Sequence, residues 1–252
     1  VHVLLGTPSQ PNLAPKQYKL LVRPQYTLLY DRSKNTASWV SWQLNETWLG
    51  TEERLPFTPD PELLKLGAAI TPDDYTNSGF DRGHLVPAAD RNHTREDATA
   101  VFYMSNIVPQ APDNNRGPWE SFESYCRSLV KAGKELYIIA GPVGVGGNGS
   151  EGNAATIAQG KVTVPAALWK IVVVNARPGL GLSGINEKTR VIAVIMPNSQ
   201  GIKNKAWTEF RTTVRDLEQQ TGLDFLSNLP TTVQESLETQ PDRLTILKKK
   251  KQ

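Results

Sequence analysis

At 252 residues the chain is long enough for one large domain or two small ones, and either buries a real core, since roughly 70–75% of the unfolded surface is removed at this size. A hydrophobic share of 38% with six Trp, seven Tyr and six Phe excludes a disordered chain, and no apolar run approaches the ~18 residues of a membrane span. The net charge of +3 rests on four lysines at 248–251; without them 24 cationic side chains face 25 acidic ones, so basicity is no argument for nucleic-acid binding.

Residues 1–25 carry Pro8, Pro11, Pro15 and Pro24 and are expected as an extended arm. Strand patterns follow at 26–30 and 36–44, joined by a turn. Residues 56–72 are proline-rich and read as a loop with one short helical turn. Thr94 with Asp97 three residues on has the form of a helix start, giving a short helix to about Met104. Gly117-Pro118 opens a stronger helix to about Lys131, because proline suits a first turn, and Gly133 suits its stop. Further strands are expected at 135–140, 167–175 and 190–196, then a helix at 204–220 stopped by Gly222. Residues 141–152 are read as a flexible Gly-rich loop, and 245–252 as a basic, disordered tail. Hairpin-like strands with separated helices predict an α+β fold in one domain, 1–252, with a mostly antiparallel sheet flanked by helices.

Some chemistry is excluded at once. A single cysteine, Cys126, permits no intramolecular disulfide and no Cys-rich zinc site, and it falls on an apolar helix face. Gly144-Val145-Gly146-Gly147-Asn148-Gly149 matches a dinucleotide fingerprint, but no helix opens after it and no acid lies about 20 residues on. No organic cofactor is expected. His84 and His93 lack a nearby third ligand for zinc, and His93 reads as a polar loop residue.

The informative region is 77–127. Asn115, Trp119, Glu123 and Arg127 recur every fourth residue and would line one side of a helix, away from Phe122, Cys126 and Leu129. Asn115 offers an amide oxygen for a hard cation such as Mg²⁺, which tolerates few protein ligands. Glu123 could hold metal-bound water, and Arg127 could reach a phosphate. A histidine base, an oxygen ligand, an acid and arginines make a minimal set for phosphodiester cleavage.

Asp81-Arg82-Gly83-His84, then Asn106 with Pro109-Gln110, then Asn115, Glu123 and Arg127 resemble the DNA/RNA non-specific endonucleases with a ββα-metal active site. The likeness extends over roughly residues 20–240. It implies that His84 is the general base and that Asn115 is the only direct protein ligand of a Mg²⁺ or Mn²⁺ ion. It further implies that Glu123 holds metal-bound water, that Arg82 and Arg127 face the phosphate, and that Asp81 supports the water shell or the geometry of the motif. Asn106 would brace the site. An upstream phosphate-binding arginine is expected, with Arg54 the nearest candidate. Asn114 remains the alternative to Asn115, which fits better because Glu123 and Arg127 follow at +8 and +12.

The implied activity is internal cleavage of DNA and RNA, single- or double-stranded, leaving 5′-phosphate ends. The implied setting is extracellular or periplasmic, with control by a dedicated protein inhibitor and no membrane association. Two rivals are a binding module without catalysis and a metal-dependent phosphoesterase for small molecules. A histidine base with an unperturbed pKa would make cleavage rise with pH near ~6.5.

Overall fold

The computed structural model describes residues 1–10, 14, 16–67 and 69–246. Its first strands are β1 (Tyr18–Val22), β2 (Thr27–Asp31) and β3 (Thr36–Leu44), followed by a short helix α1 (Pro61–Leu64). Strand β4 (Asp81–His84), helix α2 (Arg95–Val101), strand β5 (Ile107–Gln110) and helices α3 (Pro112–Asn114) and α4 (Glu120–Lys131) come next. After β6 (Glu135–Val143), β7 (Gly147–Gly149) pairs with β8 (Gly152–Ala154), and β9 (Thr156–Ile157) pairs with β10 (Val162–Thr163). The described chain is completed by β11 (Ala167–Asn175), β12 (Arg190–Pro197), β13 (Arg211–Thr212), α5 (Val214–Thr221) and α6 (Thr231–Thr239).

Seven strands form one sheet in the order β1-β2-β3-β6-β11-β12-β13, every neighbouring pair antiparallel. Period-two alternation divides its residues between two apolar layers. Leu168 and Val172 of β11 join Trp42, Ile138, Ile192 and α4 on one side. Trp169, Ile171 and Val173 join α5 and α6 on the other. The β4–β5 hairpin stands apart from this sheet and leads through α3 into α4, so the fold is α+β with a ββα element beside a large antiparallel sheet.

Three expectations are corrected. The helix at 204–220 is instead a 3-10 turn (Trp207–Phe210), β13 and α5. Trp207 belongs to the first apolar layer with Phe210 packed against it, whereas Val214 and Leu217 belong to the second. One helical stripe cannot face both sides of a sheet, so the chain crosses the edge as β13 and restarts at Thr213, which caps α5. Residues 141–152 are no flexible loop: β6 runs on to Val143, and Asn148 exchanges backbone hydrogen bonds with Asn198 and Gln200. The N-terminal arm contributes an edge strand, β1, and its His2 is buried against Pro24 and Gln43. Of the tail expected at 245–252, Ile246 packs against the first layer, while 247–252, including the lysines, lie outside the described residues.

Candidate active site

The Asp81–His84 motif is itself β4, paired with β5 so that Asp81 faces Gln110 and His84 faces Ile107. Gly83 is dictated by close approach, because a Cβ there would fall on the Gln110 side chain. Asn106 is buried before β5. Its amide accepts from the Val86 N–H at 2.9 Å and donates to the carbonyls of Val86 (3.0 Å) and Val101 (2.9 Å), which ties the segment after His84 to the end of α2.

The stretch from α3 to α4 is not one helix. It passes through a widened turn at Asn115–Trp119, and Gly117 leaves helical backbone there. A Cβ on Gly117 would lie 2.8 Å from the Lys203 Cα, so the turn is pressed against the 203 segment. The expected line of Asn115, Trp119, Glu123 and Arg127 therefore breaks. Trp119 is buried in the core, while Asn115, Glu123 and Arg127 line a common cleft.

That cleft has a volume of about 280 Å³, and Arg54, Arg82 and His84 line it too. A second hollow of about 500 Å³ adjoins it, sharing Arg54, Arg82, Asn115 and Arg116 and adding Asp81, Phe57 and Phe80. The tandem asparagines separate cleanly. Asn114 is buried, accepting from Gln110 Nε2 (2.7 Å) and donating to the Pro197 carbonyl (2.8 Å). Asn115 donates Nδ2 to Asp81 Oδ2 at 2.9 Å, and its Oδ1 has no protein donor among the described residues. Asp81 also accepts two hydrogen bonds from Arg116, at 2.9 and 2.7 Å.

His84 sits between aromatic rings, with Phe57 at 5.3 Å and Phe102 at 4.9 Å between centroids. Its Nε2 is buried without a hydrogen-bond partner among the described residues. Burial, with the nearby Arg54 charge second, lowers its pKa to about 3, so the imidazole is neutral throughout the physiological range. The direction of this shift runs against the step in cleavage expected near pH 6.5. Arg54 lies over Phe57 and Phe102, with Cζ 5.5 and 5.2 Å from the ring centroids. Arg82 is held by the Pro72 carbonyl, at 3.0 Å from Nε and 2.8 Å from the terminal nitrogen, and it also donates to Thr76.

Glu123 lies beside Lys170, with Oε1 3.4 Å from Nζ. Burial pushes its carboxyl up to about 6 even though Lys170 and Arg127 pull the other way. Arg127 donates to Asp90 at 3.0 Å, and Asp90 in turn accepts from Trp42 Nε1 at 3.0 Å. Cys126 is buried in the first apolar layer, and its thiol is pushed up to about 12 by burial. His93 is exposed and outside the cleft lining.

The sequence reading missed several residues here. Arg116 at the cleft mouth and Asp90 beneath Arg127 carried no periodic signal. Asn198 docks the hairpin onto the large sheet: it accepts from the Ala111 N–H (2.7 Å) and donates to the Pro109 carbonyl (3.0 Å). Lys170 could have been found, because one lysine inside the apolar run 167–175 demands a buried partner.

Residues 8–232 match the model of the DNA/RNA non-specific endonuclease family. A nuclease of Nostoc sp. (strain PCC 7120 / SAG 25.82 / UTEX 2576) is 50% identical over 246 residues, which cover 96% of this chain and 86% of that protein. The mitochondrial nuclease EXOG of Xenopus laevis is 33% identical over 211 residues, 81% of this chain and 57% of that longer protein. Among solved structures, a chain of the EndoG/EndoGI complex superposes with a TM-score of 0.72 at 24% identity, covering 91% of each chain, a likeness of fold. The chain therefore belongs to the DNA/RNA non-specific endonuclease family and is a phosphodiester-hydrolysing endonuclease.

Proposed function

We propose that the chain cleaves DNA and RNA internally, single- or double-stranded, with little sequence preference, using a bound Mg²⁺ or Mn²⁺ ion and leaving 5′-phosphate ends. One observation carries the reading: His84, Asn115, Glu123 and the arginines 54, 82 and 127 line a single cleft. A phosphate seated there meets four arginines, Arg116 included, and contacts to phosphate carry no sequence information, which suits low sequence preference.

The donor set fits a hard, well-hydrated ion. Asn115 offers an oxygen with no protein donor among the described residues, and Glu123 lines the same cleft. No group of three or more His, Cys, Asp or Glu converges into a metal cage among the described residues, so an ion would take few protein ligands and keep its waters. Asn115 would hold it directly and Glu123 through water. When bound, the ion supplies Lewis acidity toward the phosphate and the leaving oxygen.

The protein's own groups do the rest. Asp81 orients the Asn115 amide so that Nδ2 is occupied and Oδ1 is left for the ion. His84, neutral and lining the cleft, is placed to accept a proton from the attacking water. A base held at about 3, chiefly by burial, is weak, but a phosphate seated beside Arg54 would offset the smaller cationic contribution and move it upward. Arg82 and Arg127 neutralise charge that builds on the phosphate oxygens.

Plasmid nicking with and without Mg²⁺, on the parent and on Asn115→Ala, tests the reading. Chelation should abolish nicking and leave the melting temperature unchanged, and the variant should lose most activity while staying folded. Nicking that persists in chelator would remove the metal. Activity on a small phosphodiester but not on plasmid or RNA would favour the small-molecule rival. The solved EndoG/EndoGI complex, which concerns inhibition of EndoG, supports a protein inhibitor for this chain as well. Charge reversal at the exposed Arg116 should weaken such an inhibitor's binding in a titration, and unaltered affinity would argue that it docks elsewhere.

A further inference from the structure

Lys170 stands at the centre of the sheet, where β11 runs between β6 and β12, opposite Ala140 and Val194. Its side chain is 1% exposed. Strand alternation turns it toward α4, and its ammonium lies 4.2 Å from the Trp119 ring centroid and 5.5 Å from that of Trp42. Indole faces attract cations, and two of them confine this one. Among the described residues its carboxylate partner is Glu123, at 3.4 Å. One turn along α4, Arg127 is held in the same manner by buried Asp90, and Trp42 also donates to that carboxylate. Two cleft residues of α4 are thus each pinned from beneath by a buried opposite charge, and Trp42 touches both counter-charges.

We propose that Lys170 is a positioning residue: its caged ammonium fixes the Glu123 carboxylate toward the cleft. The inference rests on the role given to Glu123 above. Stability alone does not account for a lysine here. Buried ion pairs are often replaced whole by apolar residues with no loss of stability or with a gain, so a methionine at 170 facing an apolar residue at 123 would serve the core at least as well. What a methionine lacks is a hold on Glu123. Partners that orient a ligand group commonly matter by ~10–100-fold in metal affinity or rate.

The test uses Lys170→Met, Lys170→Gln, Glu123→Gln and the double variant Lys170→Met/Glu123→Gln. Circular dichroism and thermal melting report folding, calorimetric titration with Mn²⁺ reports the ion, and plasmid nicking reports turnover. Lys170→Met should melt below the parent, because Glu123 is left buried without its counter-charge, yet remain folded at the assay temperature, and its Mn²⁺ affinity and nicking rate should each fall ~10–100-fold. In the Glu123→Gln background the same change should cause no further loss, because the lysine acts through the carboxylate. Parental Mn²⁺ affinity and turnover in Lys170→Met would overturn the proposal. So would losses that multiply in the double variant, or failure of both lysine variants to fold, since the charge would then serve the fold. If Glu123→Gln itself keeps parental Mn²⁺ affinity and turnover, the role of Glu123 falls instead, and the lysine's role with it.

Discussion

Along β11, Leu168, Lys170 and Val172 are turned toward α4 and the cleft, whereas Trp169, Ile171 and Val173 are turned toward α5 and α6. The two helical layers answer differently. Helices α5 and α6 present Val214, Leu217, Val233 and Leu237 to the sheet, and the buried charge on this side, Glu238 with Arg215, joins the two helices to each other. Helix α4 presents Phe122, Cys126 and Val130 to the core, but one flank carries Glu123 and Arg127 over buried counter-charges. Apolar burial is non-directional and stabilises wherever it occurs. Buried charge contributes little net stability but fixes geometry, because each group tolerates few arrangements of its partners. Stability and chemistry are therefore separable between the two layers.

The largest expected effect is on the cleft side. His84→Ala should lower nicking of DNA and of RNA by about 10²–10⁴-fold while circular dichroism and Mn²⁺ affinity stay parental. An active variant would move the base elsewhere, and an unfolded one would make His84 a packing residue between Phe57 and Phe102. The matching lesion on the far layer is Leu217→Ala, at a buried position of α5. It should cost about 2–5 kcal/mol in urea unfolding and leave the nicking rate unchanged well below the melting transition. A parallel fall in turnover would show that the layers are coupled.

His2 sharpens the comparison through pH. Burial, opposed by the hydrogen bond to the Pro24 carbonyl and aided by the nearby Arg91 charge, lowers its pKa from 6.5 to about 4. Gln43 N–H donates to Nδ1 at 3.1 Å, so protonation there destroys an acceptor in use. A folded-state pKa below the ordinary value stabilises the fold above about pH 6.5, and that contribution is lost as pH falls toward 4. The loss should be on the order of 3 kcal/mol. Melting at pH 7.5 and pH 4.5 should show a larger drop for the parent than for His2→Gln, and equal drops would show that His2 is free to ionise in the folded chain. The smallest effect belongs to Arg116, whose side chain is 63% exposed. Arg116→Ala should raise KM a few-fold and make the slope of log affinity against log salt shallower by about 0.9, as expected when one phosphate fewer is neutralised. An unchanged slope would place Arg116 off the path of the nucleic acid.

Much of the site was legible because it is carried by a compact motif. Asp81, Arg82, His84, Asn115, Glu123 and Arg127 stand close in sequence, and the structure brings them together at two neighbouring hollows. Arg54 also lines the cleft, though no spacing fixed it. The β4–β5 hairpin was anticipated only through the ββα element that the resemblance implies, because Asp81–His84 and the proline-bearing Ile107–Gln110 carry no alternation to betray a strand. The long strands 36–44 and 167–175 were plain from β-branched and aromatic residues, whereas α6 follows Pro230 with no side-chain cap to announce it. Asp90, Asn198 and Lys170 act across 37 residues or more of intervening chain, through contacts that no local pattern encodes.

Cys126 has a practical consequence for labelling. It is the chain's one cysteine, it is buried, and its thiol ionises only near about pH 12. Alkylating reagents act on the exposed thiolate, so this sulfur is silent toward maleimides at neutral pH. A second cysteine placed on the rim of the cleft would become a unique point of attachment for a fluorophore or a cross-linker, with no need to remove the first.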